Sequence, residues 1–377
     1  MRTIFFITFF LAFFGLNFYV FYRLFLLIPQ NFPIMRISLI IIAVVVQIPF
    51  FAAMIFGNSL PTKFVSILYQ IGTSWIIVFL YLLMIFLILD LIKITHLVDI
   101  KPFMYNNWYG WGVVTIIISA LLIYGNINYY KKKRVEVNLE ISKPINEKNH
   151  LKIVLISDLH LGYGILNKEL ENWLPLLNKE KADIVLIAGD IIDNYIKPLN
   201  EEKMYKTLRK INAKQGVFMA LGNHEYIGSI DESIDFIKKS NITLLRDTAV
   251  LINDDFYIVG REDYSRKYRK RLSALLENID KSKPIIVIDH QPIRLKEARV
   301  NGVDLQVSGH THNGQVVPIN WISKWIFKKS YGFFKQDGTN YYISSGLGLW
   351  GGKFRIGTRS EYVVINITSK EIKKIKD

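Results

Sequence analysis

Ile153-Val154-Leu155-Ile156-Ser157-Asp158-Leu159-His160 runs four aliphatic residues straight into a carboxylate and an imidazole. A short continuous apolar run of this kind is typical of a strand buried on both faces. The same pattern recurs down the chain. Ile184 to Ala188 leads into Gly189-Asp190-Ile191-Ile192-Asp193, and Val217 to Leu221 into Gly222-Asn223-His224-Glu225. Ile285 to Ile288 leads into Asp289-His290, and Val303 to Val307 into Ser308-Gly309-His310-Thr311-His312. Helical stretches at about 167–179, 201–211 and 230–239 separate the early runs. This alternation predicts an α/β sandwich with sheets inside and helices outside, and open α/β sheets place their ligand sites at the C-terminal ends of the strands.

Any one of these strand-ends is an ordinary turn; their joint occurrence is not. Of the seven histidines in 377 residues, five fall in them: His160, His224, His290, His310 and His312. Asp158, His160, Asp190, Asn223, His290, His310 and His312 make seven candidate ligands. That is enough for two ions sharing one bridging carboxylate with positions left open for water and substrate. Carboxylate, imidazole and amide without thiolate suit manganese first, with iron, zinc, nickel and cobalt as the other candidates. Glycine before each ligand is expected to let the backbone turn sharply and approach the metals closely, where a Cβ would obstruct.

Upstream, the composition is different. Of 47 Lys and Arg and 32 Asp and Glu, six and two precede residue 130, leaving 41 and 30 after it, so +11 of the +15 net charge lies in the second part. The first part carries four apolar segments, at about 3–22, 37–56, 67–89 and 111–130. Each approaches or exceeds the roughly 20 residues that span a bilayer core. The first lacks a small-residue cleavage pattern and is followed by three more, so it is read as a retained span rather than a signal peptide. Lys131-Lys132-Lys133-Arg134 abuts the fourth span and is expected to stay cytoplasmic. With Arg2 and Lys63 this puts six basic residues inside against Arg23, Arg36, Lys93 and Lys101 outside. Asp90 and His96 fall near the end of the third span and are read as interfacial. Residues 131–150 are read as a linker with a first strand, Val135 to Ile141, and 151–377 as the catalytic domain. The basic surplus of the second part is read as scattered, which favours a solvated surface or anionic headgroups over a nucleic-acid groove. The absence of Cys excludes disulfides and thiolate metal sites.

The set D-x-H, G-D-x-x-D, G-N-H-[DE], H and G-H-x-H resembles the signature of the calcineurin-like metallophosphoesterase family, over about Leu151 to Ile367. The G-H-T-H-x-G-Q variant and the membrane-anchored N-terminus resemble a bacterial subgroup that acts on lipid-linked substrates. The resemblance implies a two-sheet sandwich flanked by helices. It implies that Asp158, His160 and His312 hold one metal, that Asn223, His290 and His310 hold a second, and that Asp190 bridges them. It implies a phosphoric ester or anhydride substrate, such as a phosphoester or pyrophosphate, cleaved by a hydroxide held between the ions. His224 would serve the leaving group, oriented by Asp193. Asn313 stands where many relatives of the subgroup have Gly, and Asn tolerates a left-handed backbone better than most residues.

Two further stretches bear on substrate. Ile319 to Lys329 places Trp321, Ile322, Trp325 and Ile326 on one helical face with Lys324 and Lys328 elsewhere. This fits either a membrane-interface helix admitting a lipid phosphate or a helix packed on the domain. Gly346 to Gly352 resembles the loop that closes the family's site. The expectation is a membrane-anchored, two-metal phosphoesterase of the cell membrane with a cytoplasmic catalytic domain. The competing expectation is a membrane receptor or scaffold that keeps the fold for binding alone.

Overall fold

A computed structural model of the chain describes residues 2–145 and 149–369. Residues 146–148 of the expected linker and 370–377 of the expected catalytic domain lie outside the described residues. The chain divides into two compact units, 1–127 with 351–354, and 128–350 with the residues from 355 onward.

Five helices build the first unit: α1 (Arg2–Leu27), α2 (Pro33–Val45), α3 (Ile48–Phe56), α4 (Thr62–Thr95) and α5 (Trp108–Tyr130). They make four segments long and apolar enough to cross a membrane. The second expected span is two helices, interrupted at Val46 and Gln47. Pro49 explains the break, because it has no N–H to give and its ring would strike the carbonyl four residues back, so it is tolerated only in the first turn of α3. At 34 residues α4 is about 51 Å long, more than the roughly 30 Å of a bilayer core. Val20, Leu24, Leu82 and Phe86 form part of a small internal core, while Leu11, Ile40, Ile67 and Ile116 face outward. This apolar exterior associates the unit with lipid. Asp90 pairs with Arg23 at 3.3 Å, near the C-terminal ends of α4 and α1.

Twelve strands in two sheets build the second unit. The first sheet orders β1 (Lys133–Ile141), β12 (Glu361–Ser369), β2 (His150–Ile156), β3 (Ile184–Ala188), β4 (Val217–Ala220) and β5 (Thr243–Leu244). The second orders β10 (Gly332–Gln336), β11 (Thr339–Ile343), β9 (Leu305–Ser308), β8 (Ile285–Ile288), β7 (Phe256–Gly260) and β6 (Thr248–Ile252). Parallel pairing joins β2, β3, β4 and β5, and likewise β7, β8, β9 and β11. All five ligand-bearing runs therefore end on the same side of their sheets, which is what brings their C-termini together.

The strands read as continuous apolar runs because both faces are covered. Ile153, Leu155 and Leu186 of one sheet meet Ile286, Ile288 and Val307 of the other in the inter-sheet core. The alternate residues Val154, Ile156 and Val185 pack outward on Trp173 and Leu177 of helix Asn167–Asn178. Between 201 and 211 the single expected helix is broken, with short helices at Lys197–Glu201 and Met204–Leu208 separated by Lys203 at φ 53°. β1 alternates as expected and is part of the first sheet through its parallel pairing with β12.

Leu186→Ala removes a fully buried side chain between the sheets. It is expected to cost about 2–5 kcal/mol, read as a lowered thermal midpoint of the purified chain. Leu251→Ala, at a half-exposed position of edge strand β6, should leave the midpoint nearly unchanged.

Candidate metal centre

The strand-ends hold their polar side chains in an unusual backbone. Asp158, His160, Asp190, His310 and His312 all adopt positive φ, at 52°, 46°, 54°, 70° and 49°. Left-handed non-glycine residues cost roughly 1–3 kcal/mol each and persist only where the surroundings over-determine them. Here the amide of Asp158 donates to Gly189 O (3.1 Å) and that of His160 to Asp190 O (3.0 Å). The amide of His310 donates to Asp158 Oδ1 (2.9 Å). Asn313 is left-handed too, at φ 50°, as its side chain allows.

The glycines matter more for space than for conformational freedom. Only Gly189 of the three that precede ligands has positive φ. A Cβ on Gly222 would lie 2.1 Å from Asp190 Oδ1, on Gly309 2.4 Å from Asp158 Oδ2, and on Gly189 2.5 Å from His290 Nδ1. Each glycine makes room for the ligand-type side chain of a neighbouring strand. Gly346 does the same beside Asp158 Cβ, at 2.9 Å.

These constraints gather all seven expected ligands and both expected catalytic residues. Asp158, His160 and His312 form one group whose donor atoms lie within 4.8 Å of one another, and Asp190, His290 and His310 form another. Asp190 Oδ2 reaches both, at 3.8 Å from His160 Nε2 and 3.1 Å from His290 Nε2. Its Oδ1 is engaged by the amide of His224 at 2.9 Å. Asn223 Oδ1 completes the second group, 3.1 Å from His290 Nε2.

The donor set fits divalent cations. His290 Nδ1 donates to Ala188 O at 2.7 Å, which leaves Nε2 facing Asp190 Oδ2 and Asn223 Oδ1. Burial opposes a charged ring, but Asp190 and Asp158 outweigh it and raise its pKa well above the ordinary range, so Nε2 is placed to hold a proton or, in its stead, a cation. Across the site, His160 Nε2 and His312 Nε2 face each other at 3.1 Å. Two imidazole nitrogens this close need one proton or one cation between them. Burial, with the neighbouring charge of His290, drives the pKa of His310 down to about 4. Burial and His160 likewise hold His312 well below the ordinary imidazole range, so both rings present lone pairs. Burial resists ionisation of Asp190, but the facing His290, His224 and His160 outweigh it and keep its carboxyl far below the usual range.

His224 stands apart from the ligand sets in chemistry. Its Nδ1 donates to the main-chain oxygen of Asp193 at 2.7 Å, with the Asp193 carboxylate 3.5 Å away. That carboxylate lies between His224 and His160, 3.6 Å from the latter. Burial works against a charged His224, yet Asp193 and Asp190 prevail and raise its pKa to about 9.

Sequence reading passed over the residues that clamp these loops. Glu225, fully buried, accepts the amides of Gly222 (2.7 Å), Asp190 (3.1 Å) and Ile192 (3.1 Å), pinning the turns after β3 and β4 to each other. It was visible within Gly-Asn-His-Glu, but a helix-start carboxylate carries the same letters. Arg355 is also wholly buried and donates to His312 O (2.6 Å), Ser345 O (2.6 Å) and Gly348 O (3.0 Å). Burial lowers its pKa to about 10, which leaves it charged at neutral pH. Nothing around Arg355 in sequence marks it. Asp289, beside His290, is gripped by Arg261 at 3.2 Å and by both Nη atoms of Arg269.

The calcineurin-like phosphoesterase family profile matches residues 151–314. A protein of Campylobacter jejuni described as an uncharacterized metallophosphoesterase is 32% identical over 266 residues, covering 68% of this chain and 69% of its own. An Aquifex aeolicus protein of the same description is 32% identical over 263 residues, covering 68% of this chain and 99% of its own. A Danio rerio protein described as a transmembrane protein with metallophosphoesterase domain is 27% identical over 277 residues, 69% of this chain and 62% of its own. The chain belongs to the calcineurin-like metallophosphoesterase family. Membership brings with it binding of divalent metal ions and the phosphoesterase class of hydrolase.

Glu225→Gln keeps the shape of that side chain but turns an N–H toward backbone amides that need an acceptor. It is expected to weaken divalent-metal retention about 10–100-fold, measured by titrating a chelator against the purified chain. Glu232→Gln, at an exposed helical position, should retain metal as the unaltered chain does.

Proposed function

We propose that the chain is a membrane-anchored, two-metal phosphoric ester or anhydride hydrolase acting on a lipid-linked phosphate. The observation that carries the reading is Asp190, whose Oδ2 faces both ligand groups while His224 is held beside them. Asp158, His160 and His312 would hold one ion, and Asn223, His290 and His310 the other, with Asp190 shared. Two such ions, manganese foremost, would activate water at neutral pH and neutralise charge on the phosphoryl oxygens.

The protein's own groups supply the rest. His224, its ring fixed by the Asp193 carbonyl with the Asp193 carboxylate 3.5 Å away, is suited to donate a proton to the leaving oxygen. A module kept for binding alone has no need of a charged imidazole held in this way, which favours turnover over a receptor or scaffold.

Helix Ile319–Phe327 supports the lipid-linked substrate. Its buried positions are Asn320 and Ser323, and its large apolar side chains face out, with Trp321 63% and Trp325 83% exposed. That is the reverse of a helix packed on a soluble domain and matches an interfacial helix with lysines at its margins. The helix also closes on the ligand set, since the Phe327 ring meets that of His310 at 5.7 Å. The basic cluster Lys131 to Arg134, after α5, supports a cytoplasmic catalytic unit.

His224→Ala is expected to lower kcat about 10²–10⁴-fold in a manganese-supplemented assay across phospholipid, lipid-linked nucleotide and simple phosphoester substrates. Metal content should stay unchanged. A metal-loaded wild type with no turnover on any of these would overturn the hydrolase reading. Trp321→Ala combined with Trp325→Ala should raise KM for a lipid-linked phosphate and spare a water-soluble ester. Equal effects on both would remove the helix from substrate capture. In sealed inside-out vesicles, added protease should cleave the catalytic unit; protection there would place it on the other side.

A further inference from the structure

Part of the basic surplus gathers at one place. Arg261 to Arg271, "REDYSRKYRKR", follows β7, and with Arg294 and Glu297 it encloses a cavity of about 270 Å³. Seven of the ten residues lining the cavity are Arg or Lys, and one, Glu297, is acidic. The other nearby carboxylates are committed elsewhere. Glu262 pairs with Arg246 at 2.9 Å, Asp263 accepts from Gln291 at 3.0 Å, and Asp289 is held by Arg261 and Arg269. Glu297 pairs with Arg261 at 2.9 Å and lies 3.5 Å from Arg294. Arg266, Lys267, Lys270 and Arg271 have no carboxylate partner among the described residues.

Cations crowded into a concave wall repel one another and focus a positive potential, a costly arrangement unless an anion is to be drawn in. The cavity also abuts the catalytic turns. Asp289, which Arg261 and Arg269 hold, immediately precedes His290. Arg266 lies over the ring of Tyr226, two residues beyond His224, at 4.6 Å. Arginine forks are suited to phosphate oxygens through paired N–H donors.

We propose that this cavity is a phosphate subsite beside the metal centre, separate from the metal ligands. It holds either a second phosphate of the substrate or the phosphate of an anionic lipid headgroup. Assigning its ligand to the substrate rests on the hydrolase reading; the subsite itself does not.

The test is calorimetric titration of the metal-loaded full chain, in nanodiscs of neutral lipid, with two probes: inorganic pyrophosphate and monomeric dihexanoyl phosphatidylglycerol. In the Arg266→Ala, Lys267→Ala, Arg271→Ala triple variant, binding of at least one probe should weaken about tenfold or more, and the charge-preserving Arg266→Lys, Lys267→Arg, Arg271→Lys chain should stay close to wild type. Loss confined to pyrophosphate supports a soluble or substrate phosphate, and loss confined to the lipid supports a headgroup. Unchanged affinity for both probes in the alanine variant would overturn the proposal. So would equal loss in the charge-preserving variant, which would trace the effect to shape rather than charge. Binding, not turnover, is read, so the failure of the hydrolase reading would leave this result standing.

Discussion

The second unit is organised around oxygen and nitrogen donors gathered so closely at the strand-ends that they need protons or cations between them. Two carboxylates with almost no solvent exposure, Asp158 and Asp190, share a pit with the rings of His160, His290, His310 and His312 and the amide oxygen of Asn223. Burying charge is among the most costly things a fold can do unless opposite charge is buried with it. Divalent cations held among these groups would convert that cost into binding energy. Features that look wasteful in isolation fit this crowding: five left-handed residues of ligand type, three glycines whose Cβ would collide with such a side chain, and a buried glutamate and a buried arginine that hold the loops.

Much of this was legible in the sequence because parallel strands buried on both faces leave a plain signature, and because the chemistry sits at their ends. The runs at Ile184 to Ala188 and Ile285 to Ile288 are strands β3 and β8 without adjustment. What escaped was whatever depends on long-range contact. The edges of both sheets, β5, β6 and β10, are short or only partly apolar. Arg355 acts through carbonyls drawn from two distant loops, a role that no local spacing announces. The glycines were legible as places where a Cβ would obstruct, but not that the obstruction is a ligand-type side chain from another strand-end. In the first unit, hydropathy located four segments but could not show that Pro49 divides the second.

The helix at Ile319–Phe327 links the chemistry to the chain's surroundings. Sequence placed Trp321, Ile322, Trp325 and Ile326 on one face but not whether that face was packed or open. The structure leaves it open, beside the ring of one ligand-type histidine. A protein carrying four helices suited to a bilayer has a ready use for an apolar platform next to a phosphate-handling site.

The account turns on Asp190 as the group that two ions share. The most direct measurement is the number of divalent ions per full-length chain, by elemental analysis after loading with manganese and removal of excess. Two per chain in the wild type, falling to one or none in Asp190→Asn, is the predicted result. One ion per wild-type chain, or two retained in Asp190→Asn, would contradict it.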